Sequence, residues 1–396
     1  MKLQQLIRNE LLAVFTNHAL LLAVFGGVLL YSFLYPLPYS KQLPQEQTVV
    51  VVNLDGSQLS RRLIRMVNAT PQVDIVGQSF SLAQAKEQMI QDKLAGILVI
   101  PAHFYRDLLQ GKSPTLAYAG DASYFLVYGT VLEGMMMAGK TLAAEVSVTR
   151  LLMSGQAMEL AEKQYTAITI GLHGLFNEAG GYVNYVIPAV FVLILHQTLI
   201  MGTGILGGTE NEQLLRGEQH YSQNTSAFNL LLIRTALFFS IYVLLLLYYF
   251  GTAFKFYDIA RLASIGNLVL ISIPFLLSTT FLGIALGALF PRREIATLIV
   301  LLSSIPIIFS SGVIWPTSAI PSLILAAAKL VPAIPAIQAF VLLNQMGAEL
   351  NQIVHLITHL ILLSLLYGVM AYLLLKRKLH RYKQPASIYT FCKKNS

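Results

Sequence analysis

Six apolar stretches dominate the chain, over residues 18–37, 183–206, 228–250, 266–290, 296–314 and 353–375, and a long insert separates the first from the other five. A helix needs about 20 apolar residues to cross the roughly 30 Å hydrocarbon core of a bilayer. Backbone in lipid must satisfy its own hydrogen bonds, so each stretch is expected to be a helix, although the fourth and fifth carry Pro274 and Pro306. The expected fold is a polytopic α-helical membrane protein of six transmembrane helices, with an extracytoplasmic α/β domain inserted between the first and second.

The composition fits that class. Apolar residues make up 55% of the chain and charged residues 12%, against about 25% charged in soluble proteins. The net charge of +8 raises nucleic acid as a partner, but no basic patch interleaves with aromatics as such sites require. The basic residues concentrate instead after the last stretch, at Lys376, Arg377, Lys378, Arg381, Lys383, Lys393 and Lys394. A cluster there is a cytoplasmic anchor. The single cysteine, Cys392, permits no disulfide framework or cysteine metal site within one chain. The first stretch is too long for a removed signal peptide and lacks a small-residue cleavage site, so it is expected to stay as an anchor.

Charge also orients the chain. Lys2 and Arg8 precede the first stretch, Arg292 and Arg293 occupy the short connection between the fourth and fifth, and the basic tail follows the sixth. With both termini in the cytoplasm all three groups lie inside, as the positive-inside rule asks; Lys255, Arg261 and Lys329 then lie outside and count against it. Residues 38–180 become the extracytoplasmic domain, residues 181–375 a five-helix bundle with a cytoplasmic loop at 207–227, and residues 376–396 a cytoplasmic tail. In residues 1–16, Leu3, Leu6, Ile7, Leu11, Val14 and Phe15 recur at helical spacing between polar residues. That pattern suits an amphipathic helix at the membrane surface ahead of a first span at 17–37.

The insert alternates strand and helix signals. Strands are expected at 49–53, 73–76, 96–100 and 115–119, with helices at 57–68, 81–93 and 104–109. Ser81 is placed as an N-cap and Gly111 as a helix stop. Such alternation implies a parallel sheet with right-handed crossovers. From about 124 to 178 the pattern turns helical and leads back to the membrane.

Two nucleotide motifs in the insert do not carry chemistry. Gly134 to Thr141 spells G-x-x-x-x-G-K-T, but a phosphate loop needs a strand leading into it and free N–H groups around the phosphates. Here Met135, Met136 and Met137 lie in a helical pattern on the side away from ATP. Met153-Ser154-Gly155-Gln156 only faintly echoes the signature of transport ATPases, and no apolar run ending in Asp-Glu is present. Asn68-Ala69-Thr70 matches a glycosylation sequon by chance. His355 and His359 share a helix face at i, i+4 spacing, which can hold zinc; without an intervening Glu beside the first, contact with water or other helices fits them better. His196 and Gln197 interrupt the second stretch, and polar groups at that depth face the bundle interior, lining a path or bonding to a neighbouring helix. No nucleophile–base–acid set is evident, and no cofactor is expected.

The arrangement resembles the permease subunit of type-2 ABC exporters, in the subgroup with a large extracytoplasmic domain after the first span. The resemblance covers nearly the whole chain. It rests on Val51-Val52-Asn53-Leu54-Asp55-Gly56-Ser57 with Ser60 and Leu63; on Ala95-Gly96-Ile97-Leu98-Val99-Ile100-Pro101 with Phe104, Leu108 and Gly111; and on Ser311-Gly312-Val313-Ile314-Trp315-Pro316 with Ile320, Pro321 and Pro332. It implies a chain without an ATPase site of its own, paired with a second permease, same or homologous, and with a cytoplasmic ABC ATPase, in the inner (plasma) membrane; a periplasmic adaptor is a further partner it allows. It implies that the 207–227 loop couples to the ATPase through Glu210, Asn211, Glu212, Gln213 and Arg216, although Gly208-Thr209 precedes the acidic residues where the family has it after them. It implies an outer gate in a re-entrant segment, 315–350, with Trp315, Pro316, Pro321 and Pro332. Tyr185, His196 and Gln197 are candidates for the translocation path, and the aromatic, charge-poor spans suit a hydrophobic or amphipathic cargo such as a drug or lipid, as in multidrug efflux. The competing reading from another class is a membrane-anchored receptor or sensor whose insert binds a ligand.

Overall fold

A computed structural model describes residues 3–39, 43–153, 155, 176–177 and 181–383. Helix α1 (Leu3–Phe15) precedes α2, the first span (His18–Tyr39). The insert follows as β1 (Gln47–Asn53), α3 (Gln58–Asn68), β2 (Val73–Ser79), α4 (Leu82–Gln91), β3 (Gly96–Ile100), α5 (Phe104–Leu109), β4 (Ala117–Gly120) and α6 (Phe125–Met153). Then come α7 (Tyr182–Leu215), α8 (Ala227–Phe256), α9 (Ile265–Leu289), α10 (Glu294–Ser310), α11 (Ser322–Ala328), α12 (Ala333–Gln345) and α13 (Leu350–Lys383). The chain divides into two compact units, residues 41–174 and the remainder. The expected helical return at 156–175, the signature-like echo beyond Gly155 and the tail from 384 onward lie outside the described residues.

In the insert, Val49 and Val51 of β1 with Leu98 and Ile100 of β3 pack against Leu63 and Val67 of α3 and Val131, Met135 and Leu142 of α6. Val50, Val52 and Ile97 face the other way, toward Ala85 and Leu94. Both faces of the central strands are therefore covered, which explains the unbroken apolar runs Val49–Val52 and Ile97–Ile100. The strand order is β2-β1-β3-β4. The first three are parallel, as expected, but β4 runs antiparallel to β3. Gly134 sits inside α6, where a Cβ would come within 3.2 Å of Gln72 and 3.3 Å of Val73. It is a close-packing glycine in a helix whose N–H groups are already bonded, so the phosphate-loop match is a coincidence of letters. Asn68 and Thr70 are likewise structural: Asn68 accepts from the Ile75 N–H at 2.7 Å and Thr70 donates to the Val67 carbonyl at 2.7 Å.

In the other unit, five helices among the described residues are long and apolar enough to cross a membrane: α2, α7, α8, α9 and α13. The stretch expected at 296–314 forms the shorter α10, with 17 residues, or about 25 Å. Gly312, at φ +89°, follows its end in a left-handed conformation that stops it. Helices α11 and α12 are bent by 87° at a short break, as a broken span or a re-entrant loop; counted as one span, they bring the total to six.

Helix α7 is the axis of the bundle and packs against α9, α10 and α12. It approaches α9 through glycines on both sides. A Cβ on Gly207 would lie 2.6 Å from the Gly287 carbonyl, and one on Gly208 would lie 2.7 Å from the Arg293 backbone. Gly283 and Gly287 form a G-x-x-x-G pair on α9. Small residues of this kind let spans pack backbone to backbone.

Candidate functional site

The last turns of α7 carry three consecutive polar residues, and each points at a different element. Glu210 turns inward to Arg234 of α8, whose Nη1 donates to Oε2 at 3.3 Å, and to Lys378 of α13, whose Nζ lies 3.0 Å from the same oxygen. Asn211 donates from Nδ2 to the carbonyls of Gly287 at 3.1 Å and Phe290 at 2.6 Å, satisfying the open C-terminal end of α9. Glu212 accepts the backbone N–H of Arg293 at 2.8 Å, at the entrance to α10. The helix ends one turn later. Gly217, at φ +78°, donates to the Leu214 carbonyl, and Glu218 to that of Gln213 at 3.0 Å, the glycine-closed ending that lets a helix stop sharply.

Helix α1 completes the cluster. Glu10, fully buried, accepts from Arg234 Nε at 3.0 Å and Nη2 at 2.8 Å, and from the Tyr221 hydroxyl at 2.9 Å. Arg234 is 2% exposed, Glu210 1% and Lys378 7%. Two carboxylates and two cations thus balance in a closed site that ties α1, α7, α8 and α13 together. Removing one partner from such a set strands a buried charge, which costs about 3–5 kcal/mol.

His220 and Tyr221 lie at the edge of this site, in the connection between α7 and α8. Burial pushes the Tyr221 hydroxyl up, and the neighbouring Glu10 carboxylate adds to the shift, so Tyr221 remains a donor. Burial lowers the His220 pKa, and Arg234 and Lys378 add to that; Glu210 and Glu10 oppose them without prevailing. Nδ1 of His220 accepts the Ser222 N–H at 3.3 Å, which suits the neutral ring. Its folded pKa is below the unfolded value of about 6.5, so below that pH the unfolded state binds more protons and stability falls with falling pH. The melting temperature of the purified protein is expected to drop between pH 7.5 and 5.5, and His220→Gln to flatten that window; an equal slope in the variant would assign the drop to other groups.

Comparison with known proteins decides the class. The chain matches the ABC-2 family transporter protein over residues 18–373. The chain belongs to the ABC-2 transporter family. It is thus a membrane permease, of a family without an ATPase domain of its own, and this decides against the receptor reading. No curated protein matches the ABC-2 permease.

The other expected site residues of the permease fall in separate places. Glu210 and Asn211, expected as ATPase contacts, are buried; Glu212 and Gln213 are half-buried, and Arg216 is exposed. Lys378, counted in the basic tail, is an internal partner of Glu210. On α7, Gln197 donates to Ser304 Oγ of α10 at 2.8 Å. His196 is 1% exposed, and neither ring nitrogen has a hydrogen-bond partner among the described residues. Tyr185, three turns earlier on the same face, donates to the Val313 carbonyl. In the 315–350 segment, Trp315 is 55% exposed, Pro316 and Pro321 directly precede short helical turns, and Pro332 opens α12. Gln338 of α12 donates to the Ser311 carbonyl at 3.1 Å, and Tyr367 of α13 donates to the Leu330 carbonyl at the bend. His355 is exposed and His359 half-buried; among the described residues no three metal-ligating side chains gather.

Proposed function

We propose that this permease exports a hydrophobic or amphipathic cargo, driven by a separate cytoplasmic ABC ATPase that docks on the end of α7 and works through the buried charge cluster. The observation that carries this reading is the split within that helix end. Glu210, Asn211 and Glu212 face inward to four other helices, while the next turn, Leu215 to Gln219, is exposed. Leu215 is a bare apolar side chain at 63% exposure, flanked by Arg216 and Glu218. A cleft of about 600 Å³ lies at the same end of the bundle, lined in part by Asn17, Thr209, Gln213 and Arg293. A partner pressing on the exposed turn would move Glu210 with it, and α1, α8 and α13 would follow. Coupling requires that the two states make different contacts, and a charge cluster shared by four helices supplies such contacts.

In this reading both termini lie in the cytoplasm of a cell whose inner membrane holds the protein, a second permease subunit completes the path, and a periplasmic adaptor is an optional addition. His196, buried and unpartnered at mid-span, and Tyr185, bridging to the 311–316 segment, lie along the path. Trp315, Pro316, Pro321 and Pro332 belong to the outer gate. Aromatic, charge-poor spans favour drug-like or lipid-like cargo.

One experiment tests side and docking together. In a Cys392→Ser background, Gln219→Cys is expected to react with a membrane-impermeant maleimide in inside-out vesicles only, and to be protected by the bound ATPase. Reaction from the outside, or reactivity indifferent to the ATPase, would remove the docking assignment.

A further inference from the structure

The cations that oppose the positive-inside rule include Arg261, in the connector between α8 and α9, at the end of the bundle opposite the charge cluster. Its guanidinium does not turn away from the protein. Nη1 donates to the Phe250 carbonyl at 3.2 Å, within the π-helical turn Tyr248–Ala253 and more than one turn back along α8. Among the described residues Arg261 has no carboxylate partner, and it remains exposed.

Next to it, a groove of about 390 Å³ runs between α8 and α9, with Val243, Leu246, Phe250, Leu268 and Leu276 in its wall. Among the described lining side chains only Arg261 and Ser272 carry polar atoms, and Ser272 spends its hydroxyl on the Leu268 carbonyl at 2.5 Å. Leu247, Ile265, Val269 and Ile273 form an exposed apolar rim. Water would find too few polar partners here. An extended peptide could not satisfy its backbone on such walls. A hydrocarbon chain needs neither, and it fills the space by dispersion contacts. The charge at the mouth then selects the head group, because a guanidinium offers its forked N–H donors to phosphate oxygens.

We propose that this groove holds an acyl chain of an anionic membrane phospholipid, with Arg261 on its phosphate. The site is independent of where the ATPase docks. It also accounts for a cation on the disfavoured side of the membrane.

The test uses the full chain extracted in mild detergent and exchanged against phosphatidylglycerol or phosphatidylcholine. Native mass spectrometry is expected to show about five-fold preferential retention of phosphatidylglycerol, the factor that one cation near anionic lipid supplies. Arg261→Gln should abolish the preference and Arg261→Lys keep part of it. Gly251→Phe should lower retention of both lipids. Gly251 lines the groove, and a Cβ there would meet nothing within 4 Å, so the backbone accepts a side chain at this position. A measurement on the unmutated protein stands beside these: phosphatidylglycerol with a diazirine in its acyl tail should label residues 243–251 and 265–276 above the other lipid-facing helices, and more than the phosphatidylcholine analogue does. Equal retention in wild type and Arg261→Gln, or labelling spread evenly over the spans for both lipids, overturns the proposal.

Discussion

Arg234→Met is expected to destabilise the protein by about 3–5 kcal/mol, the cost of leaving buried carboxylates without their cation. Arg234 is the hub of the cluster: it meets Glu10 at 2.8 Å and 3.0 Å and Glu210 at 3.3 Å, on three separate nitrogens. Methionine keeps much of the volume and none of the donors. Glu210 would retain Lys378, but among the described residues Glu10 would keep only the Tyr221 hydroxyl. The test of cause is a rescue. The triple variant Glu10→Leu, Tyr221→Phe, Arg234→Met removes the stranded partners and leaves the Glu210–Lys378 pair intact. Apolar replacement of whole buried ion pairs is neutral or stabilising, so the triple variant should recover most of the loss in a denaturant or thermal melt. Failure of rescue would assign the loss to packing around Arg234 instead. If the cluster transmits movement from the ATPase, the rescued protein should be stable and yet poorly coupled, consuming ATP with little transport.

Much of this protein was legible in its sequence, for physical reasons that also mark where legibility ends. The apolar stretches and the β-branched core of the insert declare themselves because burial acts on every residue in them. Ser81 caps the helix that follows it, as expected, accepting the N–H of Gln84, because capping is a local interaction. The direction of β4 was not legible, since it is set by pairing with β3 and not by any local pattern in the sequence. Nor was the site. Glu10, Arg234 and Lys378 are 224 and 144 positions apart, counting 234 − 10 and 378 − 234, and nothing local joins them. One signal did exist. Arg234 lies inside the third apolar stretch, and a charge at such depth requires a partner; Glu10, Glu210, Glu212, Glu218 and Glu294 were the acids available near that end. Glu210 was legible as important but was placed on the surface, because helix α7 runs eight residues further into the expected loop than its first glycine at 207 suggested. The glycines that look like a loop signal are there to admit α9.

Gly287→Leu should therefore be severe, at or above the upper end of the roughly 1–3 kcal/mol that overpacking usually costs. A Cβ at Gly287 would lie 2.8 Å from the Thr203 carbonyl oxygen and 3.2 Å from the Cα of Gly204. Both neighbours are backbone, so no flexible side chain can swing aside, and the helices must separate. Separation would also pull α9 away from Asn211, whose side chain holds the carbonyls of Gly287 and Phe290, and would break those hydrogen bonds. The loss should appear as a lower melting temperature. Gly287→Ala should show the same direction to a smaller degree, because the first added carbon already makes the clash. Gly266→Ala in the same helix is the control: a Cβ there meets nothing within 4 Å, and alanine favours helix over glycine by up to about 1 kcal/mol, so stability should hold or rise. If Gly287→Leu and Gly266→Ala behaved alike, the close approach of α7 and α9 would be incidental. If only the first is damaging, the helix end that carries Glu210, Asn211 and Glu212 owes its position to a backbone contact that no side chain larger than hydrogen permits.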